Sequence, residues 1–283
     1  MRKPAIILLC FTALCGAIGF IFSCLSPKEP TWQGRPLSQW LTECKSDNPR
    51  DLSESEQKAI QAMGTNALPH LLRMVARKDS SAKLRLRAWV GRGSIIRRWI
   101  PTHGLERIRG AAGFEALGKE AAPVVPQLIQ LLQDEHTSYP AALALSGVGS
   151  PAVPALVQTL THESAWVRMG AVQALNFMHG AEEAIPDLLK SLDDPEPAVR
   201  GCAAIALGDM RRQSQIVVPK LLESLSDTNS SVRASAARAL ALFEVEAYVA
   251  VPTLMELQND PNAEVRKEAS AALKKVGAVS TKQ

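Results

Sequence analysis

VPKLLESLSDTNSSVRASAARAL, residues Val218–Leu240, reads as one helical hairpin: an apolar-periodic segment, a short polar turn, and a second, Ala-rich segment. Val218, Leu221, Leu222 and Leu225 fall on one helical face, and Pro219 is expected in the first turn, where its missing N–H has no intrahelical partner to lose. In the second segment Val232, Ala236, Ala239 and Leu240 form another apolar stripe, with small residues that let helices approach closely. The unit recurs. VP-x-L-x-x-x-L stands at Val153–Leu160 and Val218–Leu225, with variants at Ile185–Leu192 and Val251–Leu257. A Val-Arg pair opens each following segment, at Val167-Arg168, Val199-Arg200, Val232-Arg233 and Val265-Arg266, a period of roughly 33 residues. Neither helix can bury its face alone, so successive hairpins must stack. The expected fold is therefore all-α, an α-solenoid of about six to seven stacked hairpins.

Asp194, Asp227 and Asp260 each precede their arginine, Arg200, Arg233 and Arg266, by six residues. This spacing resembles the HEAT repeat, particularly the short bacterial variety seen in phycobilisome-linker lyases. The resemblance implies that turn Asp and second-helix Arg form a hydrogen-bonded ladder between neighbouring units, with Arg168 as a further member. One unit departs from the pattern, because His162 occupies the Asp position before Arg168, with Glu163 beside it. The alternative for these arginines is a basic stripe for a polyanion, and the ladder is the preferred expectation. A solenoid of this kind hosts many unrelated roles, so the fold does not name a function.

The chain opens MRKP and then runs Ala5–Leu25 without a charge. At 1.5 Å per residue such a helix spans about 30 Å, enough to cross a hydrocarbon core. Arg2 and Lys3 before it, against the cancelling Lys28 and Glu29 after it, orient the remainder outside the cytoplasm. The expectation is an uncleaved signal-anchor at 1–27, giving a single-pass protein of the bacterial cytoplasmic membrane with its C-terminal domain extracytoplasmic. Phe20, Ile21 and Phe22 are poor for signal-peptidase cleavage. The alternative is a lipoprotein lipidated at Cys24, for which Ser23 and Ile21 are suitable and Phe22 is not. Cys44 and Cys202 remain in the exported part, too few for a disulfide framework, and Cys202 reads as a small core residue.

Residues 28–36 are expected to be a linker, residues 37–277 the solenoid and residues 278–283 a tail. The stretch WQGRPLSQWL, residues 32–41, resembles the juncture of exported single-anchor HEAT proteins. Trp32 is expected at a membrane interface, and Trp40 over the open apolar end of the solenoid. Gly-to-Pro turns recur at Gly64–Pro69, Gly118–Pro126, Gly147–Pro154 and Gly180–Pro186.

Residues 79–104 interrupt an early unit, which resumes at Leu105–Leu117 with Arg109 near the usual arginine position. This insertion carries Lys83, Arg85, Arg87, Arg92, Arg97 and Arg98 against the single acid Asp79, with Trp89 and Trp99 interleaved. Insertions in solenoids project from one face and often bind, here an anionic membrane surface or another polyanion. Export argues against nucleic acid. The bland reading, preferred here, is a solvated helix, Ala82–Arg98, packing Trp89 and Ile95 on its own unit. The unit from Pro126 to Pro154 is shortened, and its second helix, Ser138–Val148, lacks the Val-Arg pair.

No catalytic set is legible. Deoxyhypusine hydroxylases of the HEAT type bind iron through repeated His-Glu pairs, whereas this chain has the single pair His162-Glu163, placed in a turn. His70, His103, His136 and His179 lack carboxylates at ligand spacing. No metal, cofactor or enzyme activity is expected, and a phycobilin-lyase-like activity fits poorly with export. The functional expectation is a membrane-anchored scaffold that binds a protein or peptide on the concave face lined by second helices, with Arg238 and Lys267 among its solvent-facing positions.

Overall fold

The computed structural model describes residues 29–42, 51–80, 82, 85, 89 and 103–280. The Ala5–Leu25 segment, Cys24 and Cys44 lie outside the described residues. Among the described residues no single helix is long and apolar enough to cross a membrane.

The described residues form an all-helical repeat solenoid of seven hairpins. The first is α1 (Leu37–Thr42) with α2 (Glu54–Met63), and the second is α3 (Leu68–Ala76) with α4 (Gly104–Leu117). There follow α5 (Val125–Leu131) with α6 (Ser138–Val148), α7 (Val153–Thr159) with α8 (Ala165–Phe177), and α9 (Ile185–Ser191) with α10 (Pro197–Met210). The last two are α11 (Ser214–Ser224) with α12 (Ser230–Leu240), and α13 (Val251–Glu256) with α14 (Ala263–Ser280). Helix α14 therefore runs into the stretch expected as a tail, because Val276 is still buried and holds its last turns against the core.

The core is one continuous strip of Leu, Val, Ile and Ala from Leu37 to Val276. Each fully buried Leu, such as Leu71, Leu128, Leu156, Leu188 and Leu221, contributes about 1.5–3 kcal/mol against solvent. The second helices α4, α6, α8, α10, α12 and α14 pack side by side in a row. Small residues set their spacing. A Cβ on Gly208 would lie 2.7 Å from the Ala239 Cα, and one on Gly147 would lie 2.6 Å from the Glu115 backbone nitrogen.

The second of these positions revises the sequence reading of one turn. Gly147, expected as a helix stop, lies inside α6 and is needed for its approach to α4, whereas Gly149 ends the helix with φ 79°. Gly64, Gly118 and Gly180 end their hairpins in the same left-handed region. Pro219 is also placed differently. The chain between α10 and α11 has no glycine and turns through Arg211 and Gln213, both at φ 50°, which lets α11 start at Ser214 and leaves Pro219 inside the helix. The corresponding prolines of α3, α5, α7, α9 and α13 stand at the helix start.

The expected linker folds in part. Thr31–Trp32 and Arg35–Pro36 pair as a small antiparallel hairpin around Gln33 and Gly34, whose φ of 50° and 75° suit a two-residue turn. Trp32 packs against Trp40 with ring centroids 5.3 Å apart, and the Arg35 guanidinium lies 4.3 Å from the Trp40 ring. Trp40 is buried and donates from its indole nitrogen to the Trp32 carbonyl at 3.4 Å. Glu29 accepts from the Ser38 amide at the start of α1 and lies 3.4 Å from His70 of α3. Both tryptophans thus close the N-terminal end of the solenoid.

Candidate partner-binding face

The arginines of the repeat point into the turns. Arg168 donates through Nε and Nη2 to Asp194 of the following unit, both at 2.7 Å, and through Nη1 to the carbonyls of His162 and Glu163. Arg200 makes the same bidentate bond to Asp227 (2.7 and 2.9 Å), and Arg233 to Asp260 (2.8 and 2.9 Å). Each Nη1 reaches back six residues, Arg200 to the Asp194 carbonyl and Arg233 to the Asp227 carbonyl. One guanidinium therefore ties its own turn to the next. Arg266, in the last unit, donates to the carbonyls of Asp260 and Pro261.

Each aspartate also accepts from a backbone amide two residues on, at 2.7–2.8 Å, which shapes the turn before the second helix. The Arg200 and Arg233 guanidiniums hold the carboxyls of Asp227 and Asp260 below the ordinary carboxylate range. For Asp194 burial pushes upward, and the bonds from Arg168 and the Glu196 amide outweigh it.

The ladder changes in the shortened unit. In it Pro140 stands where an arginine would serve the third hairpin, and His162 where an aspartate would serve the fourth; the His162 ring Nδ1 accepts from the Ser164 amide at 3.0 Å in place of the carboxylate. Among the described residues no arginine rung joins those two units. Further forward, Asp134 is reached by Lys78 at 2.8 Å. Arg107, rather than Arg109, is the buried arginine of the interrupted unit; it donates to the Arg77 carbonyl at 2.8 Å and lies 3.5 Å from Asp79. The insertion within the turn hid this register in the sequence.

With these arginines turned inward, the exposed face of the second-helix row is made by other residues. Helical spacing places Ile108, Ala112 and Glu115 on one face of α4, Tyr139, Leu143 and Ser146 on that of α6, and Trp166, Gln173 and Phe177 on that of α8. Tyr139 and Trp166 are 42 % and 41 % exposed, large apolar surfaces left in water. Tyr139 meets Phe177 edge-on, with centroids 5.8 Å apart. An open cleft of about 650 Å³ lies between α2, α4, α6 and α8, floored by Ala111, Ala112 and Gly147. Toward the C-terminus the same face becomes polar. Arg238 is exposed beside Ser231 and Ser235 in a smaller hollow of about 240 Å³, while Lys267 pairs with Glu264 at 2.9 Å.

Cys202 also borders this face. It is half-buried and packs against the hydrophobic core, and burial pushes its thiol above the ordinary range, which opposes thiolate chemistry. No group of three or more His, Cys, Asp or Glu side chains that could hold a metal occurs among the described residues.

Within the basic insertion, between its described ends at Asp79–Ser80 and His103–Gly104, Ala82, Arg85 and Trp89 are described; they are helical, three and four residues apart, and exposed. Trp89 is 84 % exposed, so it does not pack on its own unit as the solvated-helix reading required. Lys83, Arg87, Arg92, Ile95, Arg97, Arg98 and Trp99 lie outside the described residues.

A family model for HEAT repeats matches residues 125–208, 153–241 and 218–283, more than half of the chain. The chain belongs to the HEAT-repeat family. Solved structures are similar at low identity. Karyopherin Kap121p, in a structure bound to the extreme C-terminus of the protein phosphatase Cdc14p, is 16 % identical with a TM-score of 0.51 over 85 % of this chain and 29 % of that one. The HEAT chain thus spans under a third of that protein. A crystal structure of an engineered protein is 21 % identical, with a TM-score of 0.46 over 86 % of this chain and 96 % of that chain. Among curated proteins none matches. The solenoid likeness is one of fold.

Proposed function

We propose that this HEAT-repeat chain is a non-enzymatic scaffold that holds a protein or peptide on its second-helix face, anchored to a bacterial cytoplasmic membrane by residues 5–25 with the solenoid outside the cytoplasm. The observation that carries the reading is the division of labour along the second helices. The repeated arginines are consumed in the ladder, while Tyr139, Trp166 and the open cleft are left facing solvent. Rigid, exposed aromatic side chains beside a cleft are the usual anchors of protein recognition. The karyopherin of similar fold binds a protein segment, which is consistent with the reading without naming a partner here.

Cross-linking and co-purification with the full-length chain, compared with a Tyr139→Ala/Trp166→Ala variant, tests the face. Partners retained unchanged by the variant would remove it. Intact mass, fractionation and protease access on whole cells and spheroplasts test the anchor. A soluble or cytoplasmic product would sink it and bring lyase-like readings back.

The exposure of Trp89 beside Arg85 favours a second reading, in which the insertion binds an anionic membrane surface. Sedimentation of the protein with anionic vesicles should then fall steeply with salt and with Trp89→Ala.

A further inference from the structure

The turns within hairpins carry the ladder, and the turns between hairpins make the opposite edge of the solenoid. That edge changes character along the chain. Two residues before the apolar-Pro pair of each first helix stands an exposed position. It holds Asn66, Pro123, Pro151 and Glu183 in the units of α3, α5, α7 and α9, then Ile216 and Val249 in the last two. Ile216 is 47 % exposed, Val249 60 % and the adjoining Tyr248 57 %. Packing does not require an apolar residue there, since four units do without one. A single exposed apolar side chain is ordinary, but these stand on neighbouring turns. Helix α11 contacts the 244–250 turn, so the two turns lie side by side at about the 8–10 Å spacing of packed helices.

The same two turns carry opposite charge at equivalent places. Arg211 follows α10 and Glu244 follows α12, each with φ 50°. Gln213 and Glu246 stand two residues further on, and all four are exposed. Neither Arg211 nor Glu244 has an ion-pair partner among the described residues, whereas Arg212 lies 3.3 Å from Glu182. A two-fold axis lying in this edge, across the solenoid and between the two turns, exchanges the turns of two facing copies. Arg211 of one copy then meets Glu244 of the other, Gln213 meets Glu246, and Ile216 meets Val249 and Tyr248. Each contact is made twice.

We infer that the edge formed by the last two inter-hairpin turns binds a second copy of this chain in an antiparallel, two-fold arrangement. An isologous contact needs one patch complementary to itself, and the equivalent but oppositely charged turns supply it. The patch is a few side chains, short of the roughly 800 Å² per partner of a standard stable interface, so the dimer is reversible and weak, on the order of micromolar. This edge is separate from the second-helix face proposed for partners, and the inference does not rest on that reading.

Sedimentation equilibrium of the full-length chain in density-matched detergent micelles tests it. The wild type should dimerise reversibly between about 1 and 100 µM. Val249→Asp should leave a monomer over that range, with helical content unchanged. Arg211→Glu and Glu244→Arg should each weaken the dimer about tenfold, because like charges then face each other twice. An equimolar mixture of those two variants should associate nearly as tightly as the wild type, since every facing pair is again opposite. That recovery on mixing reports contact between copies and would not follow from a role within one chain. A wild-type monomer throughout, a dimer indifferent to Val249→Asp, or a mixture no tighter than either variant alone would overturn the inference.

Discussion

The hairpins from α7 to α14 and those from α1 to α6 solve the same packing problem with different polar hardware. Behind the junction, Arg168, Arg200 and Arg233 each clasp an aspartate of the next turn through two bonds. In front of it, the tie between described turns is a lysine to Asp134, with the lysine side chain 60 % exposed, while Arg107 stays within its own hairpin beside Asp79. At the junction Pro140 and His162 replace both partners. Hydrophobic stacking runs through all seven hairpins without a break, so the blocks differ in how orientation is fixed, not in whether they are buried. The cleft and the exposed aromatics span that junction. The proposed binding surface thus lies where the ladder is weakest.

The largest expected effects fall where the two blocks are alike. Gly208→Val puts atoms into the Ala239 backbone, and Gly147→Val into that of Glu115. Each should cost about 3 kcal/mol by overpacking, read from urea unfolding. A Gly147→Val variant of wild-type stability would mean that α6 can move off α4, and that the front block is the looser one.

The ladder should separate the blocks. Arg233→Ala leaves Asp260 buried without its guanidinium and should cost about 1–3 kcal/mol. Lys78→Ala removes an exposed cation and should cost about 0–1 kcal/mol. Equal losses in the two variants would erase the distinction.

Acid sharpens the same contrast. The folded pKa values of Asp194, Asp227 and Asp260 lie below those of the unfolded chain. Their contribution is therefore complete above the ordinary carboxylate pKa near 4, and is lost as pH falls through the depressed folded values. Asp134 is lowered as well, through Lys78. The wild type should lose more stability between pH 5 and about pH 2 than Arg233→Ala, because that variant no longer carries the Asp260 rung. Parallel pH profiles would contradict this.

The smallest effect is a gain. Pro140→Arg combined with His162→Asp supplies the missing arginine and its carboxylate, and should stabilise the chain by about 1 kcal/mol, with neither single change sufficient. Additive single effects would show that no rung forms.

Much of this architecture is legible in the chain because a solenoid states its rule repeatedly. Val-Arg pairs and aspartates six residues earlier recur at one pitch, and a single unit is enough to orient the others. What escaped were features that occur once. Gly147 and Gly149 are two residues apart, and only the approach of α6 to the Glu115 backbone tells packing from termination. Pro219 is a helix-start residue in pattern and becomes internal because Arg211 and Gln213 reshape the preceding turn. The reach of each arginine to the following unit depends on the stacking itself, which no spacing within one unit contains. For the proposed binding face, Leu143, Glu115 and the Gln57–Gln61 pair belong to no repeated motif, and four helices must be assembled before they line one cleft.

Native-state hydrogen exchange of the full-length chain, resolved by mass spectrometry, addresses the division at the α6–α8 junction most directly. The slow amides of α8, α10 and α12 should exchange together as one cooperative block, with α2, α4 and α6 opening separately and faster. In the Pro140→Arg/His162→Asp variant the two sets should merge. A single cooperative unit from α2 to α12 in the wild type would contradict the division, and with it the claim that the ladder sets the two blocks apart.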